Sequence, residues 1–513
     1  MTTHVEYDLL TDQRLGGILA HPTSFPSDYG IGDLGGGAYH FVDFVVKSGL
    51  GLWQVLPLGN TGFGDSPYQS FSSFAGQPLI ISPDKLVGEG LLSYDEMPEK
   101  PEWDPCKVDY GSAIEYKTTL LHMAFDNFEQ GEFKELKTEY HQFCKNGDWL
   151  DNYALFMALK DYNEGRRWLE WEDELRFADE DVKKKWKNKL RKQVNYYKFI
   201  QFIFFKQWNE IKQYANEKGV QIIGDIPIFV SCDSADVWAN KELFDLDSKG
   251  YPREVAGVPP DYFSATGQLW GNPLYKWSEH KKQGYAWWIA RVKAQLSLAN
   301  YLRIDHFRGF ETYWAIPYGE ETAVNGKWKK GPGADLFHAI EKELGEELPI
   351  IAEDLGIITP EVEALRDELG FPGMKVLQFA FDDLEENTHM PHTFPRNCVC
   401  YTGTHDNDTT VGWYQNAFEA SKDKVRRYMN TDGTTIQWDF IRTCFNSIAE
   451  IAMVPLQDVL GYGSVARMNM PGKAEGNWAW RYTEEVLTDE LAARLYEAAA
   501  VGGRIMKAGK DEE

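Results

Sequence analysis

Tyr301-Leu302-Arg303-Ile304-Asp305-His306 decides how this chain is read. It is a short apolar run that ends in a carboxylate, and buried parallel strands read as such runs. Two more runs end in the same way: Pro349-Ile350-Ile351-Ala352-Glu353-Asp354 and Cys400-Tyr401-Thr402-Gly403-Thr404-His405-Asp406-Asn407. A carboxylate in a partly dry place costs free energy. Three of them at comparable spacing point to one pocket rimmed by successive βα units. Paired carboxylates are what glycosidic-bond chemistry requires.

Working outward, eight apolar runs can be picked out, at residues 17–20, 52–58, 220–225, 301–305, 349–353, 374–381, 398–401 and 451–456. Helical patterns lie between them, at Ala38 to Val46, at Ala334 to Leu344, and at Pro360 to Leu369 with Thr359 as its cap. Eight strands alternating with helices predict an α/β fold, a (β/α)8 TIM barrel, as a single catalytic domain over residues 1–513. Two gaps are too long for simple crossovers. Residues 60–219 are expected to form a helical insertion subdomain after strand 2; Tyr153, Phe156, Met157 and Phe199, Phe202, Ile203 show helical spacing there. Residues 229–300, rich in Gly, Pro, Trp and Tyr, are expected to form an insertion with an aromatic lid loop after strand 3. Both should rim the C-terminal face, where barrel enzymes build their sites. The stretch after the eighth strand is short, so no C-terminal β-sandwich is expected.

With 43% hydrophobic residues the chain can bury a large core, and its net charge of −26 repels nucleic-acid backbones and anionic membranes. Neither is expected as a partner. The basic run Lys183 to Lys192 reads as a solvated helix face. The six cysteines show neither C-x-x-C nor zinc spacing, so no zinc site is predicted; no other metal and no cofactor are expected. Met1 to Arg14 is polar and acidic, unlike a signal peptide. A reduced cytoplasm is the expected compartment.

Asp305 shares strand parity with Arg303, so both can face the barrel interior. A guanidinium there would keep Asp305 ionised, as a nucleophile requires, although an Arg–Asp pair that only braces the barrel reads the same way. Glu353 and Asp354 must point to opposite faces; Glu353 follows the parity of Ile351, and a carboxyl facing Asp305 would hold its proton at neutral pH. The cluster around Asp406 lacks the spacing of a calcium loop, so hydrogen bonding to sugar hydroxyls is the better reading. Asp225 ends the third strand, where it could hold Arg303 or a sugar. Tyr262, Phe263 and Trp270, and likewise Tyr68 in Asp65-Ser66-Pro67-Tyr68-Gln69, sit on Gly/Pro-rich segments where stacking on a ligand competes with packing of the loop on itself.

Taken together, these motifs resemble those of the amylomaltase or 4-α-glucanotransferase (disproportionating enzyme) family, within the α-amylase-like group. The similarity runs from His21-Pro22-Thr23-Ser24-Phe25-Pro26 to Asn477-Trp478-Ala479-Trp480-Arg481 and includes Gly224-Asp225-Ile226-Pro227, Arg303-Ile304-Asp305-His306-Phe307-Arg308-Gly309 and Arg467-Met468-Asn469. The resemblance implies an elaborated barrel without bound metal. It implies transfer of an α-1,4-glucan segment to glucose or a maltooligosaccharide, with oligomeric state left open. It casts Asp305 as nucleophile, Glu353 as acid and base, and Asp406 as the residue gripping the bound sugar. Arg303, His405, Asp225, Ser66, Tyr68, Tyr262, Trp270 and Asn469 are then the expected substrate-binding residues. The competing readings are an α-1,4-glucan hydrolase and a non-catalytic maltooligosaccharide-binding protein.

Overall fold

The computed structural model describes residues 14–260, 264–345, 347–382, 387–473 and 475–506. Eight strands form one parallel sheet: β1 (Leu15–Leu19), β2 (Leu52–Gln54), β3 (Gln221–Pro227), β6 (Tyr301–Asp305), β9 (Ile350–Ala352), β10 (Gly373–Val376), β11 (Cys398–Tyr401) and β12 (Ile451–Pro455). Their order is β10-β11-β12-β1-β2-β3-β6-β9. The two ends of that order meet, because the Ala352 N–H donates to the Pro372 carbonyl at 2.9 Å, one residue before β10. The result is a (β/α)8 barrel, and each strand falls on one of the eight apolar runs.

Strand parity sorts the core into two layers. Leu52, Ile223, Tyr301, Ile351, Met374, Val376, Val399, Tyr401, Ile451 and Met453 form one buried cluster that plugs the barrel interior. Their sequence neighbours, among them Trp53, Ile222, Leu302, Ile350, Cys398 and Cys400, belong to the larger cluster under the helices. The barrel is tight at Gly17, where a Cβ would lie 2.5 Å from Leu52 Cβ. Between β1 and β2, helix Gly36–Lys47 buries Ala38, Phe41, Val42, Phe44 and Val45, the i, i+3, i+4, i+7 stripe of a core-facing helix. Thr359 does precede helix Pro360–Glu368, but its side chain makes no capping bond.

Residues 60–219 contain the helices Tyr110–Gln130, Lys134–Asn146, Leu150–Tyr162, Glu180–Lys189 and Arg191–Glu217. The last of these packs directly on β3, so it also serves as the barrel helix before that strand. A second sheet was not among the apolar runs. It is antiparallel, in the order β5-β4-β7-β8, with β4 (Glu254–Val258), β5 (Gln268–Pro273), β7 (Thr312–Pro317) and β8 (Lys327–Lys330). Its strands carry Gly, Pro and Lys, which read as loop or surface. Lys327 and Lys329 pair with Glu254, and lysines are how an edge strand avoids pairing with other chains. After β12 the described residues hold helices and turns and no further strand.

Candidate active site

The interior parity of β3 and β6 delivers charge above the apolar plug. Asp225 lies in register with Arg303. The Arg303 guanidinium donates through Nη1 to both Asp225 oxygens at 2.8 and 2.7 Å, and through Nη2 to Asp305 Oδ1 at 2.8 Å. The Tyr68 hydroxyl donates to Asp225 Oδ2 at 2.7 Å. Arg303 and Asp225 are shut off from solvent, with side-chain exposures of 4% and 0%, whereas Asp305 keeps 30% of its side chain open to the cleft. Burial raises the pKa of Asp305 and the Arg303 guanidinium opposes it. For Arg303, burial is outweighed by Asp225 and Asp305, so it stays charged.

The end of β9 is built differently. Glu353 is 9% exposed. Its carboxylate accepts from two backbone groups, the His306 N–H at 2.6 Å and the Leu355 N–H at 2.8 Å. His306 directly follows Asp305 and has φ 55° and ψ 48°, the left-handed region that side-chain-bearing residues seldom occupy. One turn therefore ends the Asp305 strand and turns an amide onto Glu353. Burial, followed by the charge of Asp305, pushes the Glu353 pKa up to about 8. It is thus the member of the pair that carries a proton at neutral pH. Asp354 faces away, accepting from Arg366 Nη1 at 2.5 Å and the Met374 N–H at 2.7 Å.

Asp406 rides on the loop between β11 and helix Thr410–Asn416. Fully buried Asp458 ties both ends of that loop: it accepts from the Thr402 and Thr410 hydroxyls at 2.6 Å each and from the Thr410 N–H at 2.7 Å. Arg467 donates to the Asp406 carbonyl at 2.6 Å and to the Asn469 carbonyl at 2.7 Å. The Asp406 carboxylate, 45% exposed, accepts from Asn469 Nδ2 at 2.6 Å and lies 3.3 Å from His405 Nε2. The His405 ring stacks on Tyr68 at 5.2 Å and 16°. Tyr68 thereby touches both the Asp406 loop and the Asp225–Arg303 network. His21, which lines one cavity with His405, is buried with an unpartnered Nδ1; burial and the nearby His405 lower its pKa to about 3, so it is neutral.

Trp270, on β5, meets the His306 ring edge-on at 4.8 Å. The Ser66 hydroxyl accepts the Tyr68 N–H at 3.3 Å, an interaction within its own loop. Tyr262 lies outside the described residues. The structure thus brings Asp305, Glu353, Arg303, Asp225, Tyr68, His405, Asp406, Asn469 and Trp270 to one end of the barrel, while Ser66 braces Tyr68. Sequence reading passed over His306, Asp458, Arg467 and His21 as site residues. The positions of His306 next to Asp305 and of Arg467 and His21 within the quoted motifs were the available signals; Asp458 reads as an ordinary helix residue. Among the described residues no group of three His, Cys, Asp or Glu is placed to hold a metal ion. No described helix is long and apolar enough to cross a membrane.

Residues 20–488 match the profile of the family described as 4-alpha-glucanotransferase. The chain is 50% identical over 499 residues to the 4-alpha-glucanotransferase of Synechocystis sp., covering 96% of this chain and 99% of that protein. It is 48% identical over 501 residues to the 4-alpha-glucanotransferase of Thermus thermophilus, with 96% and 99% covered. Among solved structures, the amylomaltase from Streptococcus agalactiae in complex with acarbose superposes with a TM-score of 0.93 at 40% identity, covering 96% of this chain and all of that one.

Proposed function

The chain belongs to the 4-alpha-glucanotransferase family, and we propose that it moves an α-1,4-glucan segment to the 4-hydroxyl of glucose or a maltooligosaccharide by double displacement. A carboxylate oxygen of Asp305 attacks the anomeric carbon. Glu353 gives its proton to the glycosidic oxygen, and the leaving segment departs with a free 4-hydroxyl. The acceptor's 4-hydroxyl then returns a proton to Glu353 and attacks the glycosyl–Asp305 ester. Two inversions give net retention, which calls for carboxyls about 5–5.5 Å apart. Asp406, set by Asn469 and Arg467, grips hydroxyls of the donor sugar and stabilises its oxocarbenium-like transition state. His405 and Tyr68 line the same subsite. Trp270 and the rest of the 229–300 segment, with the 60–219 segment across the rim, hold the acceptor and keep water from the ester. The six free thiols suit a reducing compartment such as the cytoplasm.

One observation carries this reading: two carboxyls end the paired strands β6 and β9, Asp305 bonded to a guanidinium and Glu353 buried, where its pKa is pushed up to about 8. Product analysis on maltotriose tests it. A ladder of glucose plus longer oligomers, at constant total bonds, is expected. Reducing ends that rise in step with bond loss would replace transfer by hydrolysis, and no turnover at all would leave a binding protein.

A further inference from the structure

Of the chain's 18 tryptophans, all described, Trp328 is the most open to solvent, at 41%. It is also rigidly mounted. The Arg308 guanidinium lies 4.1 Å from its ring centroid. Arg308 is itself fixed, donating to the Ile357 carbonyl and, at 3.1 Å, to the Thr312 hydroxyl. Trp314 meets the Trp328 ring edge-on at 5.1 Å and is anchored through its indole N–H to the Ala323 carbonyl at 2.8 Å. Lysines alone would protect the β8 edge; a tryptophan between them is not needed for that. A large apolar ring held still with surface left in water has the form of a stacking platform.

We infer that Trp328, backed by Arg308, is an outlying subsite on which a distant sugar unit of a long α-1,4-glucan stacks. Three observations select a glucan as the occupant. The platform is continuous with the reaction site: Arg308 stands in the turn Phe307–Phe310 that follows Asp305 and His306. The same four-stranded sheet reaches the site at its other edge, where Trp270 on β5 touches His306. Leu269, Gly257, Trp314 and Trp328 stand in register across β5, β4, β7 and β8, so three strand spacings, about 14 Å, separate the Trp270 edge from Trp328. A trisaccharide filling the cleft is too short to use both, whereas a polymer leaving the cleft spans them.

This inference rests on the glucan-transfer reading, and a single comparison separates the two. Trp328→Ala is assayed on maltotriose and on amylose of several tens of units. The expected result is unchanged kcat and KM for maltotriose with a three- to tenfold rise in KM for amylose, kcat being kept. Trp328→Phe, which retains a smaller ring, should recover part of that loss. An inactive Asp305→Asn protein carrying Trp328→Ala should be retarded less by amylose in native affinity gels than Asp305→Asn alone. Equal KM values for wild type and Trp328→Ala on amylose would overturn the platform while leaving transfer intact. A parallel loss on both substrates would overturn it too, marking Trp328 as a support for the sheet. Absence of transfer by the wild-type protein on either substrate would instead remove the functional reading itself.

Discussion

Asp305 and Glu353 finish neighbouring strands, β6 and β9, yet their surroundings are opposite. Asp305 is partly open and bound to a buried guanidinium that it shares with Asp225. Glu353 is nearly closed off, and its carboxylate accepts only two backbone N–H groups. Burial raises the pKa of both carboxyls, but at Asp305 the bound guanidinium opposes that rise, whereas at Glu353 the charge of Asp305 adds to it. The roles of nucleophile and acid follow from the neighbours, not from the residue type. The geometry also shows how little sequence this takes: one Arg two residues before Asp305, and one left-handed residue after it.

The sharpest way to break this comparison is to remove each carboxyl and change the leaving group. Asp305→Asn and Glu353→Gln should each lower transfer between maltooligosaccharides by about a thousandfold or more. A donor whose leaving group needs no proton, such as α-maltosyl fluoride, should separate them. Glu353→Gln should still release fluoride in the first step, whereas Asp305→Asn should not. Equal failure of both variants on the fluoride would show that Glu353 does more than donate a proton.

Next in size is the guanidinium. Arg303→Lys keeps one positive charge but loses the planar fork that serves two carboxylates at once. Asp305 then loses much of the influence that opposes burial. Its pKa should rise, the acid limb of the kcat/KM profile should move to higher pH, and activity at pH 6 should fall by about ten- to a hundredfold. The basic limb, set by Glu353 near pH 8, should move less. If both limbs moved together, the pair would titrate as one unit and the separate assignments would fail.

The third carboxylate extends the comparison from strand ends to a loop. Asp406 is positioned by Asp458, Asn469 and Arg467, and not by a strand. Asp458→Ala leaves two hydroxyls and an N–H without their acceptor, at a cost of about 3 kcal/mol in stability. It should also raise KM and lower kcat by roughly tenfold. Asp458→Asn can still accept the Thr410 N–H and should recover most of the folding stability, measured by thermal unfolding. Recovery of stability without any recovery of kinetics would show that the loop needs both hydroxyl contacts to aim Asp406.

These contrasts also explain what the sequence could convey. The barrel was legible because a strand buried on both faces leaves an apolar run, and parity alone then put Arg303 and Asp305 together. Parity with Ile351 likewise favoured Glu353 for the interior; the Arg366 that Asp354 meets came only from the fold. The small antiparallel sheet was not legible. Gln268-Leu269-Trp270-Gly271-Asn272-Pro273 and Lys327-Trp328-Lys329-Lys330 pack on one side only, and their Gly, Pro and Lys carry the pattern of loops. The support of Asp406 was hidden for another reason. Asp458 is 52 residues away in sequence, on a short helix after β12, and only the pairing of β12 with β11 brings it beneath Thr402 and Thr410.

The smallest expected effect tests the electrostatic claim without any catalysis. Glu353 has an ordinary pKa of 4.5 when unfolded and about 8 when folded. Between those values the folded protein holds a proton that the unfolded chain has released. Native binding of more protons means that stability falls as pH rises across this window and levels off above it. Glu353→Gln carries no such proton, so its stability should fall less steeply from pH 5 to 8. The amide brings a constant penalty of its own, because its NH2 group cannot accept from either backbone N–H. The diagnostic is therefore the slope of the Tm difference against pH, not its offset. A mutant-minus-wild-type Tm that climbs from pH 5 to 8 and is flat beyond supports a protonated Glu353. A difference independent of pH would mean that the two backbone N–H groups hold it ionised, and the contrast with Asp305 would disappear.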